Sequence, residues 1–133
     1  MNVKSWNEIH QRIHAIKFNE TFDIIVAIAN GGIIPAALLN QKLQTDFQIL
    51  KINFRNQHQQ PVHPAPKLLE DIHFNIKEKT ILLVEDRVKT GATLNYAKFL
   101  LQAEAKLVKT FAVNGKADYF LFDEECFVFP WNI

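Results

Sequence analysis

The segment ILLVEDRVKTGATL, residues 81–94, joins a hydrophobic run to two adjacent acids and a turn of small residues. Glu85 and Asp86 directly follow the hydrophobic run, so a buried strand would end in two carboxylates whose repulsion must be compensated. Ribose hydroxyls, a metal ion or a nearby cation would each compensate it. The turn from Lys89 to Thr93 opens a helix, whose exposed N–H groups and threonine hydroxyls can bind an anion. This arrangement suits a sugar phosphate, although an ordinary capped turn with solvated acids has the same spacing.

Glycine marks a second loop. The chain has only four glycines, at positions 31, 32, 91 and 115, and scarce glycines are expected where the backbone is unusual or a ligand comes close. Gly31 and Gly32 follow the apolar run of residues 23–29, and Gly91 follows the run that precedes the two acids. Ligands of parallel sheets bind at the carboxyl ends of the strands, so we expect both glycine loops at one edge of a sheet.

The elements that must position these loops follow an α/β order. Apolar runs predict strands over residues 23–29, 47–55, 80–84 and 106–113, with short strands in DYFLF and ECFVF near the C-terminus. Helical periodicity predicts helices over residues 3–17, 33–44 and 93–105. Alternating strands and helices predict a mostly parallel central sheet flanked by helices. Residues 56–75, rich in proline and histidine, are predicted to be a long binding loop.

Length and composition narrow the function. A chain of 133 residues predicts a single domain spanning 1–133, and a formal net charge of +1 gives no reason to expect a nucleic-acid partner. The single cysteine, Cys126, favours a reducing compartment, and we interpret it as a small buried hydrophobic residue. No apolar run reaches the length of a membrane span, and Lys4 and Glu8 interrupt any signal-peptide core. We therefore expect a cytoplasmic protein with no membrane partner.

The segment ILLVEDRVKTGATL resembles the signature of the type I phosphoribosyltransferases: four hydrophobic residues, two acids, two variable positions and a loop that ends Thr-Gly-x-Thr. Three other segments are similar, in order, to the xanthine–guanine and archaeal-type purine phosphoribosyltransferases: SWNEIH (5–10), FDIIVAIANGGIIPAALL (22–39) and FVFPW (127–131). The resemblance implies the type I fold with a small strand-rich C-terminal hood. It also implies transfer of the phosphoribosyl group of phosphoribosyl pyrophosphate (PRPP) to a purine-like nucleobase, with release of pyrophosphate.

The resemblance assigns the PRPP site residue by residue. Glu85 and Asp86 are implied to contact the ribose hydroxyls, and Mg²⁺ is expected to accompany PRPP without a direct protein ligand. The loop implied to hold the 5-phosphate consists of Val88, Lys89, Thr90, Gly91, Ala92 and Thr93. The implied catalytic group is Glu85, Asp86 and Lys89. Positioning and electrostatic stabilisation of an oxocarbenium-like ribose would then supply most of the rate.

The first glycine loop, Asn30-Gly31-Gly32, resembles the pyrophosphate loop of the family. Relatives usually have Arg or Lys where this chain has Asn30, so another cation is needed, and Arg55 or Lys67 are the candidates. Residues 56–75 match the position of the family's flexible catalytic loop, which closes over PRPP.

The nucleobase pocket is implied by three residues near the C-terminus. Lys116 would bond the 6-oxo group, Phe127 would stack on the ring, and the Val128 backbone would face the base edge. Lys116 could equally be a surface residue and Phe127 a core residue. Trp131, like Trp6, is assigned to packing.

Lys89 occupies a position that is usually aspartate in 6-oxopurine enzymes, where it manages a proton of the base. A lysine there is expected to act as a charged partner of phosphate or carboxylate, which favours an acidic base such as xanthine. Lys89 and Asn30 also leave open a rival from another class, a regulatory protein that binds PRPP or a nucleotide without turnover. Relatives are often dimers, and the sequence does not decide whether this chain forms a homodimer.

Overall fold

The computed structural model describes residues 2–54 and 60–132. Its helices are α1 (Trp6–Ala15), α2 (Ile33–Leu43) and α3 (Ala92–Gln102). Its strands are β1 (Asn2–Val3), β2 (Ile24–Ala29), β3 (Asp46–Asn53), β4 (Lys67–Leu68), β5 (Thr80–Arg87), β6 (Leu107–Asn114), β7 (Tyr119–Phe122) and β8 (Phe127–Val128).

Six of these strands form the central sheet, in the order β4-β3-β2-β5-β6-β7. Every neighbouring pair is parallel except β3 and β4, which are antiparallel. The predicted α/β fold with a mostly parallel sheet is therefore confirmed. Because β2 and β5 are adjacent, with Ala27 opposite Val84, the loops that follow these two strands lie side by side.

Buried side chains lie on both faces of the sheet, as continuous apolar strands predict. One core contains Ile25, Leu82 and Phe111 together with residues of α1 and α2. The other contains Ile24, Leu83 and residues of α3. The sheet is thus covered on both sides, and its carboxyl edge is left for the loops.

Helix α1 begins at the predicted cap. The Ser5 hydroxyl accepts a hydrogen bond from the Glu8 N–H, and the Glu8 carboxylate accepts one from the Ser5 N–H. Ile9 and Ile13 are buried, whereas Trp6 is 51% exposed and packs against Trp131. The helix is shorter than predicted because residues 2–3 form a strand instead.

Strand β5 is longer than the predicted 80–84. Pairing with β6 continues through Glu85, opposite Ala112, and Arg87, opposite Asn114, so the two acids belong to the strand itself. Because side chains alternate along a strand, Glu85 and Asp86 point to opposite faces of the sheet.

The predicted C-terminal strands have different partners. Strand β7 extends the central sheet beside β6, whereas β8 pairs with β1 in a separate two-stranded sheet. The hood therefore joins the C-terminal segment to the N-terminal one. No helix within residues 2–54 and 60–132 has the length and apolar character of a membrane span.

Candidate active site

A cleft of about 860 Å³ opens at the carboxyl edge of the sheet. The loop after β2, the end of β5, the turn into α3 and the C-terminal segment form its walls. Ten predicted PRPP-site residues line it: Asn30, Gly31, Glu85, Asp86, Val88, Lys89, Thr90, Gly91, Ala92 and Thr93. The fold thus brings the two predicted loops and the acidic pair into one concave surface.

The loop after β2 lies directly against the acidic pair. A methyl group on Gly31 would lie 2.5 Å from Asp86 Cγ, so the loop packs this closely only because residue 31 has no side chain. At Gly32 a methyl group would meet the backbone, 2.8 Å from the Ile28 carbonyl oxygen. The Ala29–Asn30 peptide bond is cis.

The two acids of β5 have perturbed ionisation. Burial, followed by repulsion from Asp86, raises the pKa of Glu85 to about 8. Burial also raises the pKa of Asp86, although a hydrogen bond from the Arg87 N–H, 2.6 Å from Oδ1, opposes this effect. The cleft therefore holds two carboxyl groups whose ionised forms are disfavoured by burial, and the Arg87 charge offsets this only in part at Asp86. A polyhydroxyl ligand or a further cation would favour the ionised forms.

The turn from Lys89 to Thr93 forms the start of α3. Gly91, at φ +85°, is the N-cap residue, and its lack of a side chain leaves the helix start open to the cleft. The Thr90 hydroxyl accepts a hydrogen bond from the Ala92 N–H at 3.2 Å. Lys89 and Thr90 are exposed. This end of the cleft combines N–H donors, hydroxyls and a cation, as an anion requires.

A further cation lines the opposite part of the cleft. Lys51 lies in β3 opposite Ala29 of β2, one residue before Asn30. Its Nζ forms an ion pair with Glu70 at 2.9 Å, and both side chains are about half exposed. The hydrogen bond from Lys51 lowers the pKa of Glu70. Sequence reasoning missed Lys51 because an exposed lysine in a strand has no local signature.

Arg55 and Lys67 are the two cations that the sequence predicted as candidates to compensate for the uncharged Asn30. Lys67 lies in β4, opposite Asn53, outside the cleft lining. Arg55 lies outside the described residues, as do residues 56–59 of the predicted catalytic loop. The described part of that loop includes Leu69, which lines the cleft.

The predicted base-pocket residues lie outside the lining of this cleft, and Lys116 and Phe127 take the surface and core positions that the sequence left open as alternatives. The Phe127 ring is completely buried, edge-on to Phe122 and Phe129, so it cannot stack on a ligand in this conformation. Lys116 is exposed in the turn after β6, because Gly115 packs against Val88 and directs the chain away. Val128 pairs with Val3 in the two-stranded sheet.

Trp131 and Arg87 instead form the wall on this side. Both line the cleft, and each has one buried ring or guanidinium nitrogen, Trp131 Nε1 and Arg87 Nε, without a hydrogen-bond partner in the described structure. Trp131 stacks on Phe129 with ring centroids 4.8 Å apart. The assignment of Trp131 to packing was therefore incomplete. Its place in the last residues of the chain gave no indication that it would reach the cleft.

The side chains suit a metal shared with a ligand better than a metal held by the protein alone. The described residues contain no group of three or more His, Cys, Asp or Glu side chains that could bind a metal. An anion cradle beside two carboxylates fits Mg²⁺ that accompanies a phosphate ligand, because Mg²⁺ keeps several waters and is bound together with substrate phosphates.

Comparison with known proteins agrees with this geometry. The family profile described as "Phosphoribosyl transferase domain" matches residues 3–132. The chain is 30% identical over 141 residues to the xanthine-guanine phosphoribosyltransferase of Chromohalobacter salexigens, covering 97% of this chain and 82% of the relative. It is 25% identical over 154 residues to the protein of the same name from Cereibacter sphaeroides, covering 97% and 85%.

Solved structures agree as well. The crystal structure of purine phosphoribosyltransferase from Pyrococcus horikoshii superimposes with a TM-score of 0.83 at 27% identity, covering 98% of this chain and 93% of that one. The profile match spans almost the whole chain, and the relatives are matched over most of their own length. The chain therefore belongs to the phosphoribosyltransferase family, of the type I fold, and is a pentosyltransferase.

Proposed function

We propose that the protein is a purine phosphoribosyltransferase, which transfers the 5-phosphoribosyl group of PRPP to a purine-like base and releases pyrophosphate. One observation carries the proposal: Glu85 and Asp86, near the end of a buried strand, line the same cleft as Asn30, Gly31 and the Lys89–Thr93 turn. These groups match a ligand with hydroxyls in its centre and phosphates at both ends. The match of the family profile to residues 3–132 supports our expectation of a single catalytic domain.

In the proposed complex the acidic pair accepts hydrogen bonds from the ribose hydroxyls. The Lys89–Thr93 turn binds the 5-phosphate through N–H groups, hydroxyls and the Lys89 ammonium. The start of α3 supports this assignment, because the N-cap residue Gly91 has no side chain that would compete with the phosphate, although the Thr90 hydroxyl accepts a hydrogen bond from the Ala92 N–H.

The pyrophosphate end is assigned to the Asn30-Gly31-Gly32 loop and Lys51. Asn30 donates hydrogen bonds but carries no charge, and Lys51 is the cation of the adjacent strand in register with Ala29. Its partner Glu70 is half exposed, and an exposed ion pair of this kind is weak enough to exchange for a phosphate oxygen.

The reaction breaks the bond between C1′ and pyrophosphate and forms a bond between C1′ and a ring nitrogen of the base. Mg²⁺ bound with PRPP would supply positive charge to the departing pyrophosphate. The carboxylates hold the ribose while positive charge develops at C1′, and they stabilise that charge. The proton of the attacking nitrogen must also leave, and Lys89 stands where an acid–base carboxylate is usual in 6-oxopurine enzymes.

A base that reaches the cleft already ionised needs no proton acceptor. Xanthine ionises more readily than hypoxanthine, and its anion would meet the exposed cation Lys89 of the cleft lining. The relatives from Chromohalobacter salexigens and Cereibacter sphaeroides are named for xanthine and guanine, which supports a 6-oxopurine substrate. We therefore propose xanthine as the preferred base.

A pyrophosphate-release assay tests the proposal, with PRPP, Mg²⁺ and separate samples of xanthine, guanine, hypoxanthine, adenine, uracil and orotate. We expect turnover with 6-oxopurines, highest with xanthine, and none with Asp86→Asn. Turnover with pyrimidines alone would refute the purine assignment. Binding of PRPP by calorimetry without pyrophosphate release from any base would support the rival regulatory function instead.

A further inference from the structure

Arg87 directly follows the acidic pair and connects it to the C-terminal segment. Its backbone N–H donates to Asp86 Oδ1 at 2.6 Å. Its Nη2 donates to the carbonyl oxygen of Phe127 at 2.5 Å, across 40 residues of sequence. A charge-assisted hydrogen bond of this length is among the stronger polar contacts in a protein. The end of β5 is therefore fastened to β8 by a single side chain.

The same guanidinium also contacts the stacked pair Phe129 and Trp131, here called the Phe129–Trp131 wall, of which Trp131 is the member that lines the cleft. Arg87 Cζ lies 4.5 Å from the centroid of the Phe129 ring, and the Phe129 ring stacks on Trp131 with an interplanar angle of 10°. Contacts thus run without a gap from Asp86 through Arg87 and Phe129 to Trp131. Phe129 is only 1% exposed, so the connection is held within the protein interior.

Burying the Arg87 guanidinium destabilises the protein in one respect, and filling space in the core would not require it. Arg87 Nε is buried without a hydrogen-bond partner among the described residues, and an unpaired buried donor destabilises a protein. A methionine or leucine of similar length would fill the same space without this penalty. The guanidinium supplies what they cannot, a planar group that bonds a carbonyl and stacks on an aromatic ring at the same time.

We propose that Arg87 is a positioning residue: it fixes the Phe129–Trp131 wall relative to the acidic pair, and so sets the position of the base against the ribose held by Glu85 and Asp86. The inference rests on the proposed function. Transfer requires the attacking nitrogen to face C1′ closely, and an error of about 1 Å costs on the order of a hundredfold in rate. A link between the ribose site and the base wall keeps that distance constant.

The chain contains a matched control. Arg12 makes the same two kinds of contact away from the cleft: Nη1 donates to the Leu121 carbonyl oxygen at 3.0 Å, and Cζ lies 4.6 Å from the Phe122 ring centroid. Arg87→Met and Arg12→Met therefore remove equivalent interactions. Arg87→Lys keeps the charge beside Asp86 but loses the planar group, which separates electrostatics from positioning.

The kinetic test compares KM for guanine with KM for PRPP in these variants. In Arg87→Met we expect KM for guanine to rise about tenfold and kcat to fall, while KM for PRPP changes much less. Arg87→Lys should keep KM for PRPP and show an intermediate KM for guanine. Arg12→Met should leave both constants unchanged. Equal effects of Arg87→Met on both KM values, or equal effects of the two Met variants, would overturn the proposal.

A second readout does not need activity. The chain has two tryptophans, so in a Trp6→Phe background the fluorescence comes from Trp131. We expect Arg87→Met to shift this emission and increase its quenching by acrylamide, and Arg12→Met to leave both unchanged. An unaltered Trp131 signal would refute the positioning role even in an active enzyme. If wild type releases no pyrophosphate, the proposed function fails while this measurement still decides the role of Arg87; if Arg87→Met does not fold, Arg87→Lys gives the same comparison.

Discussion

Gly31 and Gly32 are neighbours in the same loop, yet a side chain at each would meet a different kind of obstacle. At position 31 the obstacle is the Asp86 carboxyl group, 2.5 Å away at Cγ, and at position 32 it is the backbone of β2 and β5. A side chain can rotate away, whereas two strands of a sheet cannot separate. A side chain at position 31 should therefore disturb the site, whereas a side chain at position 32 should destabilise the fold.

We expect Gly31→Ala to lower kcat/KM about a hundredfold, because the displaced Asp86 carboxyl misplaces the ribose, with a loss of stability below about 1 kcal/mol. Gly32→Ala should instead lower the free energy of unfolding by about 3 kcal/mol, several times the loss in Gly31→Ala, because the backbone of the strands must move. Steady-state kinetics and urea unfolding of both variants check this. Equal losses of stability in the two would contradict it.

Lys51 and Glu70 allow a second test at the scale of residues. Lys51→Met should raise KM for PRPP about tenfold, since a charged hydrogen bond to phosphate is lost. Glu70→Gln should lower it about twofold, because the exposed ion pair no longer competes. Lys67→Met, a cation of β4 outside the cleft lining, is the control and should have no effect.

A lysine introduced at position 30 tests whether Lys51 and Asn30 bind the same anion. If Lys51 compensates for the uncharged Asn30, then Asn30→Lys should recover most of the affinity lost in Lys51→Met. Initial-rate measurements with varied PRPP suffice. A double variant no better than Lys51→Met alone would show that the two positions do not serve one anion.

The residues that sequence reasoning identified, and those it missed, differ in one physical respect. Glu85, Asp86 and Lys89–Thr93 are contiguous, so their spacing alone predicts a common site. Lys51 and Trp131 reach the cleft only through strand register and tertiary packing, which a local pattern does not encode. The sequence left open whether Phe127 lies in the base pocket or in the core, because one aromatic residue among eleven phenylalanines gives no sign of which one faces a cleft; its ring is buried in the core.

At the scale of elements, the sequence predicted the order of strands and helices because each apolar run is long and unambiguous. It did not predict where β5 ends. That boundary depends on hydrogen bonds to β6, which persist to Arg87 opposite Asn114. Asn114 is buried, and its own side chain is held by backbone groups of Glu124, so the pairing at this point is reinforced by the C-terminal segment.

The starts of α1 and α3 are built for different purposes. The side chains of Ser5 and Glu8 cap the start of α1, whereas α3 begins at Gly91, which has no side chain and leaves the helix start facing the cleft. Ser5→Ala should therefore lower the free energy of unfolding by about 1 kcal/mol without changing KM for PRPP. Thr90→Val should raise KM for PRPP about tenfold, because the lost hydroxyl is proposed to bind phosphate.

Unfolding curves and initial rates on the two variants distinguish the caps. If Ser5→Ala alters KM for PRPP as much as Thr90→Val does, the distinction between a structural and a ligand-binding helix start is wrong.

At the scale of the whole molecule, the acidic pair makes stability depend on pH in a specific direction. Burial holds the pKa of Glu85 near 8, above its ordinary value of 4.5. Between these values the folded protein keeps a proton that the unfolded chain has released. This contribution to stability is complete below pH 4.5 and is lost as the pH rises through 8. Asp86, whose pKa is also raised, acts in the same direction.

Glu85→Gln removes the ionisation while keeping the shape of the side chain. We expect the variant to be more stable than wild type at pH 9, by on the order of 2 kcal/mol after allowance for solvent in the cleft, and about equally stable at pH 5. Urea unfolding of the unliganded proteins at a series of pH values measures the difference. Parallel curves for the two proteins would mean that Glu85 is not the titrating group.

PRPP with Mg²⁺ should reverse this dependence, because the ligand favours the ionised carboxylates that the free fold disfavours. A ligand stabilises the folded state by about 2.7 kcal/mol at a hundred times its dissociation constant, so thermal shifts report the affinity directly. We expect the shift in wild type to grow from pH 6 to pH 8 as Glu85 releases its proton. In Glu85→Gln only Asp86 and PRPP itself contribute an ionisation to this change, so the shift should grow less. The same buried carboxyl would then weaken the empty protein and strengthen its complex, which is how a destabilised site becomes selective for its ligand.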